Sequence, residues 1–419
     1  MRKVQLGRCD KQNIGAVSMK ILMVNKFLYP RGGAETYVLK LGRMLSQLGH
    51  DVQYFGMDHP DRVVGNEINC YTSQMDFHGA NVFAKLTYPA RIIYSSEARK
   101  KIRKVLDDFQ PDVCHLNNFN YQLTPSIILE IRKWERQRGG SCKIVYTAHD
   151  PQLVCPNHMC MNPGSRQICQ KCLTGDYRNC LRGKCIHNSY ARSSLGALES
   201  WFWHRTGVYR QLDVVVCCSH FMKTLLDADP VLSTKTVVLH NFVEDAEPMV
   251  VQKKDYILYF GRYAQEKGLL TLLAAAKQLP DVPFVLAGSG PMEGVLNELL
   301  KDIPNVRNVG FRQGEALQRL IREARFTVIP SEWYENCPFS VLESISCGTP
   351  VLGADIGGIP ELIQGNGALF VSGNSGDLTE KIRLLWQDTA LLAGYEAACA
   401  ANRFDSVQTY AMKIMECYG

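Results

Sequence analysis

At 419 residues, 46% hydrophobic and 21% charged, the chain is too long for one comfortable core and too ordinary in composition for a disordered or low-complexity protein. Its formal net charge of +6 permits anionic substrates and an anionic membrane surface, but does not call for nucleic acid. No run approaches the roughly 20 apolar residues of a membrane span, and the start lacks the apolar core of a signal peptide, so a cytoplasmic protein is expected.

Residues 1–18 read as a leader ahead of a first strand that begins at Met19. Short apolar runs then alternate with amphipathic segments, which is the pattern of βα units and a parallel sheet. Strands are expected at 20–25, 52–55, 112–116, 143–147, 213–218 and 236–239, with a helix over 34–48 after the first. A second set follows at 256–260, 283–287, 305–309, 326–330, 350–353 and 368–371. The two sets predict an α/β fold of two Rossmann-like, doubly wound domains, 19–243 and 244–403, facing across a cleft. The join falls in the polar stretch 244–254, which carries Pro248, and residues 404–419 are expected to cross back to the first domain.

Within the first half, 91–109 reads as a helix with Ala98, Ile102, Val105 and Phe109 in an apolar stripe and Arg99, Lys100, Lys101, Arg103 and Lys104 around it. Such a helix either packs its stripe on a core or lies on an anionic membrane. His149 and Asp150 end a strand, at the face where open α/β sheets bind ligands. An insert over 151–190 follows, with Cys155, Cys160, Cys169, Cys172, Cys180 and Cys185. The chain has sixteen cysteines and no export signal, so a structural zinc or iron–sulfur site leads over disulfides and reduced thiols. Asp227-Ala-Asp229 has the form of a divalent-metal pair, but its polar, Pro-terminated setting reads as surface.

In the second half, Glu335 and Glu343 flank a strand-to-helix turn that contains Pro338. A helix start offers free N–H groups and a positive dipole end, which suit a diphosphate. Two carboxylates beside it can accept hydrogen bonds from sugar and ribose hydroxyls. Alone, the pair is equally well a helix cap and a solvated charge.

Five motifs in order break that tie: Gly32-Gly33-Ala34-Glu35, Gly261-Arg262 with Glu266-Lys267-Gly268, Ala287-Gly288-Ser289-Gly290-Pro291, the Glu335/Glu343 element, and Gly357-Gly358-Ile359-Pro360-Glu361. The set resembles the retaining family-4 glycosyltransferases (glycosyl transferases group 1) of GT-B architecture. The resemblance implies that Arg262 and Lys267 hold the diphosphate of a nucleotide-sugar, Glu335 binds the donor sugar and Glu343 the ribose. His149 would position the sugar and not act as a nucleophile. Gly33, Gly261, Gly288 and Gly310 would let backbone approach the donor, with Asn336, Cys337, Pro338, Phe339 and Ser340 completing the phosphate site. Donor chemistry would need no divalent metal, because cations and a helix end meet the developing charge. The implied acceptor is a glycan or lipid-linked glycan of surface-polysaccharide assembly, with peripheral contact to an anionic membrane and no nucleic acid. The alternatives are a nucleotide-sugar epimerase of the same fold and a non-catalytic scaffold.

Overall fold

A computed structural model describes residues 18–74, 89–244 and 251–419. The expected leader, apart from Ser18, and the middle of the expected join lie outside those residues.

Two six-stranded parallel sheets organise the chain. The first runs β2-β1-β3-β4-β5-β6, from β1 (Lys20–Val24), β2 (Asp51–Phe55), β3 (Val113–Leu116), β4 (Lys143–Ala148), β5 (Val214–Cys217) and β6 (Thr236–Val238). The second runs β12-β11-β10-β7-β8-β9, from β7 (Ile257–Phe260), β8 (Phe284–Ala287), β9 (Val306–Asn308), β10 (Phe326–Ile329), β11 (Val351–Ala354) and β12 (Gly367–Phe370). Central strands such as β3, β7, β8 and β10 are buried along their whole length, as parallel strands covered on both faces must be. Strand order reverses between β1 and β3 in one sheet and between β7 and β10 in the other. Those are the switch points where α/β sheets open a crevice.

Five helices bear on function: α1 (Gly33–Gln47), α2 (Ser96–Phe109), α3 (Tyr190–Thr206), α4 (Phe339–Ser346) and α5 (Val407–Tyr418). Helix α5 packs on the first sheet, although it is last in the chain. Tyr410 bonds Tyr37 hydroxyl to hydroxyl at 2.9 Å, and the Tyr418 hydroxyl lies 2.6 Å from His115 Nδ1, all in one buried cluster. Helix α2 starts on a Ser95 cap, and its stripe of Ala98, Ile102, Val105, Leu106 and Phe109 is wholly built into the core. The stripe is therefore not free for a membrane. Its basic side is largely paired, Arg99 and Arg103 with Glu130 and Lys101 with Glu97.

Helix α3 holds a buried acid. Glu199 is buried with its Oε1 unpartnered, and burial pushes its carboxyl up to about 8. Its folded value lies above the unfolded one, so stability falls as pH rises from the ordinary carboxyl range toward about 8 and stays low beyond. Glu199→Gln should therefore melt like the parent near about pH 5 and be about 1–3 kcal/mol more stable near about pH 8. Paired melting curves at the two pH values check this, and an equal gain at both would show that the charge is not the cause.

Candidate functional site

The loops leaving β7 and β10 meet at the second switch point. Arg262 and Lys267 follow β7, and Ser331 to Glu335 follow β10. Together with loops of the first sheet they line one cleft of about 1010 Å³.

Glu335 is buried there, and three donors converge on its Oε1: Lys267 Nζ at 2.6 Å, the Ser331 hydroxyl at 2.7 Å and Trp333 Nε1 at 3.1 Å. Burial alone would raise its carboxyl; the Lys267 charge and these bonds outweigh burial and hold it below the usual range. Its Oε2 has no protein partner among the described residues and remains available to a ligand hydroxyl. The ion pair with Lys267 was not legible in the sequence, which assigned the two residues to different parts of the donor. Arg262 is exposed on the cleft wall and makes no ion pair with a described carboxylate.

Helix α4 begins at Phe339 behind Pro338, with no side chain capping it. The N–H groups of Phe339 and Ser340 have no acceptor among the described residues, so they are free for an anion. Glu343, one turn further, makes no described side-chain bond. Burial pushes its carboxyl up to about 7, with Lys40 opposing this and Glu244 adding to it. Ribose hydroxyls could donate to it.

Of the other expected residues, Gly33, Gly261, Gly288, Asn336 and Cys337 line the cleft, and Gly310 does not. Asn336 and Cys337 face the first domain: Asn336 bonds the Ser219 hydroxyl at 2.6 Å and the Ala148 carbonyl at 2.8 Å, while Asn241 donates to the Cys337 carbonyl at 2.8 Å. Their side chains join the domains, which leaves the phosphate expectation resting on their backbone. Gly33 lies across the cleft from Phe339, where a Cβ would come to 3.7 Å of the ring. A Cβ on Gly288 would fall 1.9 Å from the Gly261 carbonyl, so these two turns touch through backbone. Gly310 does not line the cleft; its carbonyl accepts the Gly288 N–H at 3.0 Å from behind.

On the facing wall, His149 lies 2.9 Å from the Asn117 side-chain oxygen through Nε2. The Asn117 amide nitrogen is turned toward two backbone carbonyls, so Nε2 must be the donor, leaving Nδ1 as an acceptor. Burial pushes the ring's pKa down to about 3, so it stays neutral. That suits holding a hydroxyl and not donating charge. Sequence reasoning named Asp150 without giving it a role, and it missed Lys26. Asp150 is pushed up to about 6 by burial, with Lys26 opposing the shift, and burial likewise pulls Lys26 below the usual lysine range. Both line the cleft just past strand ends, and position after β1 and β4 was the available signal.

The Cys-rich insert reaches the same cleft through His158 and Met159. It also crosses to the loop after β10: Arg166 pairs with Glu332 at 3.0 Å and Gln170 donates to the Tyr334 hydroxyl at 2.7 Å. Its six thiols line one small space of about 10 Å³ and are all free. Among the described residues no group of three or more His, Cys, Asp or Glu side chains is arranged to hold a metal ion. The expected zinc or iron–sulfur site is therefore not supported. The thiols interact in two pairs, Cys155 with Cys160 and Cys180 with Cys185, and Cys155, Cys160, Cys172 and Cys180 are buried as core residues. Asp227 and Asp229 are also no metal pair, being bound to Lys223 and His204. Among the described residues, no helix is long and apolar enough to cross a membrane.

Comparison with known proteins agrees with this fold. Among solved structures, sucrose-phosphate synthase from Thermosynechococcus elongatus superposes with a TM-score of 0.66 at 18% identity, over 96% of this chain and 98% of that one. HepE from Anabaena, crystallised with UDP and glucose, gives 0.61 at 19% identity over 95% and 99%. At such identities the likeness speaks for the GT-B fold alone. In sequence, an uncharacterised 42.6 kDa protein in the cps region of Klebsiella pneumoniae is 22% identical across 82% of this chain and 87% of its own length. The O-antigen chain mannosyltransferase B of Escherichia coli is 30% identical over 36% of this chain and 43% of its own. The model for glycosyl transferases group 1 matches residues 254–388, which hold the Lys267–Glu335 pair and the open start of α4. The model for glycosyltransferase family 4 matches residues 31–247, more than half of the chain, and with both halves accounted for the chain belongs to the family-4 glycosyltransferases.

Proposed function

We propose that this glycosyltransferase transfers a sugar, with retention, from a nucleotide-diphosphate-sugar to a hydroxyl of a lipid-linked or growing surface-polysaccharide glycan. The observation that carries the reading is the convergence of Arg262, the Lys267–Glu335 pair and the uncapped start of α4 on one cleft edge. Arg262, Lys267 and the N–H groups of Phe339 and Ser340 take the diphosphate. Glu335 accepts donor-sugar hydroxyls through Oε2, Glu343 the ribose, and His149 Nδ1 a hydroxyl of the same sugar. The acceptor oxygen attacks the anomeric carbon from the face of the leaving group, and the sugar–phosphate bond breaks with its electron pair going to phosphate. The acceptor proton passes to that departing phosphate oxygen. The UDP and glucose held by HepE, and the O-antigen and cps settings of two relatives, support a nucleotide-sugar donor and a polysaccharide acceptor.

Donor turnover across a panel of nucleotide-sugars, with and without glycan acceptors, tests the reading. Acceptor-dependent release of nucleoside diphosphate is the expected result. Conversion of the sugar without an acceptor would mean an epimerase, and no turnover of any bound donor a scaffold. Turnover should also persist in excess EDTA, since two cations and a helix end already face the leaving group. Loss of turnover that Mg²⁺ or Mn²⁺ restores would sink the metal-free chemistry.

A further inference from the structure

Helix α3 carries an apolar face that nothing in the described chain covers. Tyr190, Leu198 and Trp201 are 60%, 49% and 55% exposed, against a general rule that large apolar side chains exposed together mark a contact surface. At 100° per residue their spacing places them within about a quarter turn of one another on one side of the helix. The opposite side is fastened to the Cys-rich insert. Ser193 Oγ accepts the Ile186 N–H at 2.9 Å, and Gly196 sits so close to Ile186 that a Cβ would fall 2.3 Å from its Cδ1. Since the insert sends His158 and Met159 into the cleft, the exposed face lies one layer behind the wall of the first domain.

Basic residues stand beside that face. Between Arg182 and Arg210 the only acid is Glu199, and it is buried. Over the same stretch stand Arg182, Lys184, Arg192, Arg205 and Arg210, and none of the five pairs with a described carboxylate. Lys184 Nζ lies 4.4 Å from the centre of the Tyr190 ring, and Arg205 follows Trp201 by one helical turn. A protein partner or a second copy would find hydrophobic area here but would have to supply the acids itself. A bilayer with anionic headgroups supplies both at once: Trp and Tyr settle at headgroup depth, Leu reaches the acyl boundary, and Arg and Lys meet lipid phosphates.

We propose that the Tyr190–Leu198–Trp201 face of α3, with Lys184 and Arg205 beside it, is the surface by which this protein docks on an anionic lipid bilayer. The docking would place the first-domain wall of the cleft near a lipid-borne acceptor, and to that extent it rests on the function proposed above. Binding to vesicles is read without turnover, so the two ideas fail separately.

Flotation with vesicles of phosphatidylcholine alone, and of phosphatidylcholine with phosphatidylglycerol, tests it on the full chain. Wild type should float with the anionic vesicles, remain mostly unbound with the neutral ones, and be released as salt rises. The double variant Leu198→Glu with Trp201→Glu should bind anionic vesicles at least about ten-fold more weakly. Leu198→Ser with Trp201→Ser should fall in between, and Arg205→Glu with Arg210→Glu should lose most at low salt. All three positions of the apolar face are exposed, so the melting temperature should stay at the wild-type value. Failure of wild type to bind anionic vesicles at low salt would overturn the proposal, as would variants that float like wild type. A wild-type dimer that the Glu substitutions dissociate would assign the face to a second copy instead.

Discussion

Lys267→Ala should lower kcat by about a hundred-fold, the cost of removing roughly 3 kcal/mol of transition-state stabilisation from a preorganised cation. The lysine lies 2.6 Å from Glu335 and on the same cleft wall as Arg262, so it can turn toward a leaving diphosphate without leaving its partner far behind. Its removal has a second consequence. Glu335 would keep only Ser331 and Trp333, and with the cation gone its carboxyl would rise from below the usual range. The acid side of the pH profile should therefore move to higher pH in Lys267→Ala. Glu335→Gln should cost at least about ten-fold, because a neutral amide accepts sugar hydroxyls less well and no longer orients the lysine. The double variant separates the causes. If Lys267→Ala harms only by stranding a buried carboxylate, adding Glu335→Gln restores activity; if the lost charge at phosphate dominates, it does not. We expect no rescue. Near-normal turnover in both single variants, with melting unchanged, would refute the assignment of this pair to the donor.

Much of this was open to reading before any coordinates. Every strand overlaps an expected run, because strands buried on both faces must be apolar throughout and end in turn residues such as Gly261, Gly288 and Pro330. The order of the motifs, and not any single one, gave the family. Side-chain pairing was less accessible. Lys267 and Glu335 are 68 residues apart, and only the strand-order reversal between β7 and β10 brings their loops together. The α2 stripe left two readings open for a related reason: periodicity says that one face is apolar but not what covers it. In α2 the core covers it, whereas the exposed face of α3 gave no such signal, since Tyr190 and Trp201 are interleaved with buried Trp203 and Gly196. The thiols show the limit of counting. Their density was informative, but whether they converge on an ion depends on rotamers that spacing does not encode.

Gly268 tests the architecture under the donor site, and Gly268→Ala should be the most disruptive small substitution in it. The residue ends the turn that carries Lys267, with φ of +71°, a region that costs an L side chain roughly 1–2 kcal/mol. Worse, a Cβ there would lie 1.7 Å from the Pro330 carbonyl oxygen, backbone at the end of β10 that cannot rotate away. The β7 and β10 loops would have to move apart, and the hydrogen bond from Glu332 N–H to the Glu266 carbonyl, 2.9 Å long, lies directly in line to break. Gly365→Ala provides the comparison, since its φ of +77° carries the same backbone penalty while nothing lies within 4 Å of its Cβ. Gly365→Ala should cost about 1 kcal/mol and leave kcat near normal. Gly268→Ala should cost about 3 kcal/mol or more, lower the melting temperature by roughly 6–12 °C, and depress kcat well beyond any loss of folded protein. The excess over Gly365→Ala measures the close approach of the two loops. Should the two variants melt together and turn over alike, the contact between the β7 and β10 loops would not be what holds Lys267 against Glu335.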